Sequence, residues 1–121
     1  MHNESLVKSL GATHLIDRKA DVLAEVKKIT DKPVEIVYDA ISEKATQEQA
    51  WEILAPGGTL ILVLGAEVDK EKYKDKHIVN VFGSVHAPEL RKLGVSLYSK
   101  LTQLLADGDI KVGSGHHSAP A

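Results

Sequence analysis

Apolar residues recur along the chain with two spacings, which predict helices alternating with strands. Four segments have the spacing of an amphipathic helix: 4–12, 20–30, 42–55 and 88–109. Four shorter apolar runs are typical of strands: 13–17, 34–41, 59–65 and 78–86. Strands that alternate with helices indicate βαβ units, a parallel sheet and right-handed crossovers.

The stretch "LAPGGTLILVLGA" predicts a joint between a helix and a buried strand. Pro56, Gly57 and Gly58 cannot continue a helix, so they are expected to end the 42–55 helix, with Ser42 as its cap. The 59–65 run is apolar after its first residue, which indicates burial on both faces and a central place in the sheet. Gly11 and Gly108 are expected to end helices, Gly11 in a left-handed conformation, and the leucines of the 88–109 helix are expected to share one face.

Composition narrows the class of protein. The chain has 121 residues, 43% hydrophobic and 26% charged, as expected for one soluble domain. Its formal charge of −2 is spread along the chain, so nucleic acid is not an expected partner. It has no cysteine and no 18-residue apolar stretch, so a cytoplasmic location without a membrane partner is expected. His116 and His117 are adjacent and have no acidic neighbours, so no metal site is expected there.

The carboxyl ends of the predicted strands are where a ligand is expected. In open α/β sheets the binding crevice lies outside these ends. Small residues occur at three of the four ends, at Ala40, Gly65 and Gly83. A flat or extended ligand could therefore approach the backbone closely.

The order of these segments resembles the distal part of the cofactor domain of medium-chain dehydrogenase/reductases. The resemblance covers residues 2–112 and is carried by these segments: "LVKSLGATHLID", "VEIVYDAI", "AWEILAPGGTLILVLG", "VFGSVH" and "LLADGDIK". The chain is most similar to zinc-free fungal members of the quinone-reductase or enoyl-reductase type, often called zinc-binding alcohol dehydrogenase-like. The resemblance implies a Rossmann-like three-layer sandwich with a mainly parallel sheet of about four strands, lacking the first βαβ of the full domain. Residues 1–112 would be a partial NAD(P)-binding domain and 113–121 a flexible tail.

The resemblance also implies which residues bind the cofactor. Asn3 and Lys8 would touch a 2′-phosphate, which favours NADP, with NAD possible; alternatively Asn3 only caps the first helix. The other implied contacts lie at the strand ends: Asp39, Ala40, Ile41 and Ser42 at the ribose and pyrophosphate, Leu64, Gly65 and Ala66 at the nicotinamide ribose, and Phe82, Gly83, Ser84 and Val85 at the carboxamide. No catalytic residue is assigned, and no metal is expected.

Departures from the family pattern leave three functions open. No G-x-G-x-x-G motif occurs, and the resemblance places that loop and the substrate domain before Met1. An NAD(P)(H)-dependent oxidoreductase acting on an enone, quinone or carbonyl, weakly active or inactive alone, is the first hypothesis. The second is a non-enzymatic, self-associating protein on the same scaffold. The third is a fragment of a class I methyltransferase, which would share "YDAI" and "LAPGGTLIL".

The missing first βαβ leaves one flank of the 34–41 strand without a neighbour. Two arrangements could cover that flank. Residues 13–17 could pair with 34–41 in the same subunit, or the chain could form a homo-oligomer.

Overall fold

The computed structural model describes residues 3–69, 71 and 74–111. Within them the helices and strands run in this order: α1 Glu4–Ser9, α2 Val22–Ile29, β1 Val34–Asp39, α3 Lys44–Ile53, β2 Leu54–Leu62, β3 His77–Asn80, a 3₁₀ turn Pro88–Leu90 and α4 Arg91–Ala106. The chain divides after Phe82 into two compact units. The first unit contains α1 to β3, and the second contains the 3₁₀ turn and α4.

The strands form one parallel sheet in the order β1-β2-β3. Asp39 is opposite Leu62, and Leu62 is opposite Asn80, so the carboxyl ends of the strands lie at one edge. The predicted α/β class and the central position of the 59–65 strand are confirmed. The third strand is shorter than the predicted 78–86, since only the Val81 N–H extends its pairing, with the Leu62 carbonyl at 2.7 Å.

The sheet has three strands within the described residues, where about four are predicted. Residues 13–17 are irregular, because Asp17 begins a turn: its Oδ1 accepts from the Lys19 N–H and its carbonyl from the Ala20 N–H. So short a run offers only Leu15 and Ile16 to fix a strand register. The hypothesis that 13–17 pairs with the 34–41 strand is therefore wrong. In the described chain, β1 is an edge strand.

The core of the first unit forms where α3 packs on the sheet. Its buried apolar side chains come from α3, β2 and the loop after β2: Ala50, Trp51, Leu54, Leu60, Leu62 and Val68. Val37 and Ile78 pack against this cluster from the neighbouring strands. Burying one side chain of the size of Leu60 stabilises the fold by about 1.5–3 kcal/mol, so the central strand contributes strongly.

The joint between α3 and β2 is tighter than the sequence predicts. Helix α3 ends at Ile53 and β2 begins at the next residue, because the residue before Pro56 is disfavoured in helical conformation. The register then jumps: Val34 faces Leu54, whereas Ile36 faces Thr59. Residues 55–58 therefore form a bulge inside β2, in place of a turn that precedes it.

The start of α3 also differs from the prediction. Glu43 is the N-cap residue, and its N–H donates to Thr46 Oγ1 at 3.1 Å. Ser42 lies one residue before the cap and has a φ of 58°. The prediction that Ser42 caps this helix is wrong, because its hydroxyl is used across the sheet edge instead.

Helix α4 keeps most of its leucine face at the surface. It ends before Gly108 as predicted, and the φ there is 77°; Gly11, with a φ of 106°, confirms the predicted left-handed end of α1. On the leucine face, Leu93 is 60% exposed. Gly94 is the buried residue of α4, and a Cβ there would lie 2.9 Å from the Val85 Cβ.

The bulge in β2 predicts a strict need for glycine at position 58. A Cβ on Gly58 would lie 2.8 Å from Leu54 Cδ2 and 2.9 Å from the Ala55 carbonyl oxygen. Because a backbone oxygen cannot move aside cheaply, Gly58→Ala should lower the free energy of unfolding by about 1–3 kcal/mol. Urea unfolding measures this loss. Gly65→Ala is the matched control, since nothing lies within 4 Å of a Cβ there. Equal losses in the two variants would contradict the prediction.

Candidate functional site

The candidate site lies at the carboxyl ends of β1 and β2. Because Asp39 and Leu62 are register partners in a parallel pair, the loops that follow them leave the same edge of the sheet side by side. The first loop comprises residues 40–43 and the second residues 63–67. We call them loop A and loop B. Both belong to the first unit.

Asp39 organises loop A with a buried carboxylate. Its Oδ1 accepts hydrogen bonds from the Ile41 N–H at 3.0 Å and the Ser42 N–H at 2.8 Å. Its Oδ2 accepts one from Thr46 Oγ1 at 2.6 Å. A buried carboxylate needs such donors to offset its lost hydration. Asp39 therefore shapes the loop from within.

Ser42 joins loop A to the start of loop B. Its hydroxyl donates to the Asp39 carbonyl at 2.8 Å and accepts from the Val63 N–H at 2.9 Å. Its left-handed backbone costs about 1–2 kcal/mol for a residue other than glycine. The hydrogen bonds made by its hydroxyl, and the one that its backbone N–H donates to Asp39, offset that cost. The network therefore holds Ser42 in this conformation.

Gln47 on α3 completes the connection. Its Nε2 donates to the Ser42 carbonyl at 2.8 Å and to the Gly65 carbonyl at 3.0 Å, and its Oε1 accepts from the Glu67 N–H at 2.7 Å. The side chain is fully buried. Neither Gln47 nor Thr46 is among the site residues predicted from the sequence. Gln47 shares one helical face with Ala50, and a glutamine on that apolar face is a signal that could have indicated a buried polar role.

Most of the remaining predicted residues of these two loops lie on the outer surface of the strand ends, whereas Ala66 packs against the core cluster. Ala40 and Gly65 are exposed, and Ala66 is half-buried. Ile41 and Leu64 are each 59% exposed, which is unusual for large apolar side chains. The network thus turns the polar side chains inward and leaves small and apolar groups outside. Such a surface suits the flat face of an aromatic ring.

The predicted residues after β3 are divided between the two units. Phe82 ends the first unit and is largely exposed. Gly83, Ser84 and Val85 begin the second, where the Ser84 carbonyl accepts the Ala87 N–H at 3.0 Å.

Asn3 and Lys8 lie on α1, which packs against no other helix or strand in the part of the chain that the structure describes. Lys8 Nζ donates to Glu4 Oε1 at 2.7 Å, and this hydrogen bond lowers the pKa of Glu4. Asn3 makes no capping hydrogen bond through its side chain. Contacts thus bring loops A and B together but do not bring α1 to them.

No zinc site is found among residues 3–69, 71 and 74–111. No three His, Asp or Glu side chains in that part of the chain are placed to hold a metal ion. The pair His116 and His117 lies outside the described residues. No helix in the described part is long and apolar enough to cross a membrane.

Solved structures share this fold. A quinone oxidoreductase from Pseudomonas syringae pv. Tomato DC3000 matches 93% of this chain with a TM-score of 0.71 and 24% identity. The nucleotide-binding subdomain of the enoylreductase domain of PpsC from Mycobacterium tuberculosis matches 93% with a TM-score of 0.64 and 21% identity. The human synaptic vesicle membrane protein VAT-1 homolog-like protein matches 90% with a TM-score of 0.57 and 29% identity. No curated protein matches the chain significantly.

The fold is therefore that of a Rossmann-type nucleotide-binding subdomain. The family model described as zinc-binding dehydrogenase matches residues 1–106, and the chain belongs to that family. The predicted resemblance to medium-chain dehydrogenase/reductases is confirmed. The chain spans 37% of the quinone oxidoreductase, 67% of the PpsC subdomain and 32% of the VAT-1 homolog-like protein.

The conformation of Ser42 gives a test of the network. Ser42→Ala removes the hydroxyl bonds to Asp39 and Val63 and keeps the backbone strain, so it should cost about 2 kcal/mol of unfolding free energy. Ser42→Gly loses the same bonds but relieves the strain, so it should be about 1 kcal/mol more stable than the alanine variant. Chemical denaturation compares the two. An alanine variant as stable as the glycine variant would contradict the assigned conformation.

Proposed function

We propose that this chain supplies the strand-end part of a nicotinamide dinucleotide site in an NAD(P)(H)-dependent oxidoreductase. The observation that carries the proposal is the pairing of loops A and B at adjacent parallel strand ends, with polar side chains inside and Ile41, Leu64 and Gly65 outside. A dinucleotide needs flat apolar contacts for its rings and close backbone approach for its pyrophosphate. Family membership supports the same cofactor class.

The proposed reaction is hydride transfer to or from an enone, quinone or carbonyl compound. A quinone oxidoreductase and an enoylreductase subdomain are among the similar structures, which supports this substrate class. The exposed cofactor contacts predicted on loops A and B, which are Ala40, Ile41, Leu64 and Gly65, carry no side-chain group that can donate a proton. We therefore expect weak or no turnover from these 121 residues alone.

NADP is the proposed cofactor, with NAD possible. Lys8 is the cation that would meet a 2′-phosphate, and Asn3 would donate a hydrogen bond to it. Lys8 pairs with exposed Glu4, and an exposed pair of this kind is weak, so a dianionic phosphate could displace the carboxylate. Phe82, Gly83, Ser84 and Val85 stay proposed carboxamide contacts. A cytoplasmic location, without nucleic acid or membrane partners, stays a prediction.

Titration of the ¹⁵N-labelled chain with NADPH and with NADH tests the proposed site. NADPH should shift the amide signals of loops A and B before others, because the dinucleotide is expected to contact their backbone. NADPH should bind more tightly than NADH. Unchanged loop signals at millimolar concentrations of both cofactors would refute the proposal for this chain.

A charge variant locates the site further. Ile41→Glu places a carboxylate on the exposed surface of loop A, where it should repel the pyrophosphate and weaken NADPH binding at least tenfold. Ile29→Glu makes the same change at the end of α2, just before β1 begins, and should leave the affinity unchanged. Equal effects of the two variants would place the cofactor elsewhere.

Self-association is a second candidate function, favoured by the edge of β1. Within the described residues only β2 pairs with β1, so the peptide groups of its other edge are unpaired. Ile36 is 66% exposed and Tyr38 59% exposed, and both lie on one face because strand side chains alternate. An unpaired apolar edge is a template for a second strand. We propose that copies of this chain pair through β1.

Sedimentation velocity at rising protein concentration tests the pairing. The wild-type chain should show a concentration-dependent increase in mass. Ile36→Lys should abolish it, since a charge on an edge strand opposes pairing. Val95→Lys, on an exposed site of α4, should change nothing. A wild-type monomer at all concentrations would remove this candidate.

A further inference from the structure

Gln47 is a polar residue at a fully buried position, and the burial of its side chain needs a physical explanation. It lies on the buried face of α3 with Ala50 and Trp51, and it is fully buried. An apolar residue of similar volume would fill the same space without losing hydration. The free-energy cost of burying the amide is offset only because each of its polar atoms has a hydrogen-bond partner.

The orientation of the amide is determined by its partners. Both Nε2 bonds go to carbonyl oxygens, those of Ser42 and Gly65, and the Oε1 bond comes from the Glu67 N–H. A flipped amide would bring its oxygen against two carbonyl oxygens, which cannot donate. Gln47 therefore draws the carbonyls of loops A and B into the interior.

The Gly65–Ala66 peptide is the one whose orientation matters for a ligand. In a trans peptide the carbonyl and the following N–H point in opposite directions. Because the Gly65 carbonyl points at Gln47, the Ala66 N–H points away from it. In the part of the chain that the structure describes, the Ala66 N–H has no hydrogen-bond partner. The strand end thus holds a free backbone donor with its carbonyl turned inward.

We propose that Gln47 is a positioning residue that fixes the Gly65–Ala66 peptide so that the Ala66 N–H binds an oxygen of the dinucleotide. This inference rests on the proposed function and assigns it a specific donor. The resemblance places the nicotinamide ribose at Leu64, Gly65 and Ala66, and an N–H turned outward there can donate a hydrogen bond to a ribose oxygen, whereas a carbonyl turned outward can only accept one. Gln47 thus acts on the cofactor through the backbone of loop B, without contact of its own.

Amide hydrogen exchange of the wild-type chain tests the geometry without a variant. The Glu67 N–H should exchange slowly, because Gln47 Oε1 accepts it, and the Ala66 N–H should exchange fast. Saturating NADPH should protect the Ala66 N–H at least tenfold. A protected Ala66 N–H without NADPH, or one that NADPH leaves unprotected while other loop amides respond, would overturn this inference alone. No response in any loop amide would instead refute the proposed function.

The variant Gln47→Leu tests the positioning role. It keeps the volume but removes the bonds to both loops, so the dissociation constant for NADPH should rise at least tenfold and the NADPH-induced shift of the Ala66 N–H should be lost. Ile78→Ala is the matched control, since it weakens the same core from β3 and removes none of the hydrogen bonds that Gln47 makes to the two loops. It should leave the dissociation constant within twofold. Unchanged affinity in folded Gln47→Leu, or equal losses in both variants, would overturn the assignment; the exchange experiment decides it if Gln47→Leu does not fold.

Discussion

The structure of the strand ends depends on one constraint: polar groups buried there must find partners within the protein. The Asp39 carboxylate accepts a hydrogen bond from the Ser42 N–H, and Gln47 donates hydrogen bonds to the carbonyls of Ser42 and Gly65. Backbone groups of loops A and B thus supply the partners of these side chains. An unsatisfied buried polar group costs about 1–3 kcal/mol. Replacing one of these three residues with an apolar residue would leave its hydrogen-bond partners unsatisfied at that cost. The network therefore holds both loops in a single arrangement, and the shape of the outer surface follows from it.

Hydrogen bonds hold the loops at the carboxyl ends of β1 and β2 in place. In contrast, one edge of β1 is unpaired within the described residues. Leu60 and Leu62 of the central strand are fully buried, whereas Ile36 and Tyr38 on β1 are mostly exposed. Parallel strands are normally covered on both faces and paired on both sides. Among the described residues only β2 pairs with β1, so a second neighbour for β1 would have to come from elsewhere. Either the remainder of a larger protein or a second copy would serve, and both relieve the same unpaired edge.

Much of this fold could be predicted from sequence because local patterns determine it. The apolar run 59–65 correctly predicts the central strand, and the glycines at 11 and 108 correctly predict two helix ends. The predicted 13–17 strand was wrong, since strand pairing depends on partners that a local pattern does not contain. Gln47 was missed for the opposite reason: a glutamine on a helix is ordinary in sequence, and its role arises only where α3 meets both loops.

The proposed recognition through the backbone would require few particular side chains at the strand ends. The fold matches solved structures with TM-scores of 0.64 and 0.71 at 21% and 24% identity. If the cofactor is held by peptide groups and small residues, the side chains of Ile41 and Leu64 can vary while the N–H and carbonyl directions stay fixed. Under the proposal, Gln47 sets these directions in this chain, because its Nε2 donates to the carbonyls of Ser42 and Gly65 and keeps both turned inward.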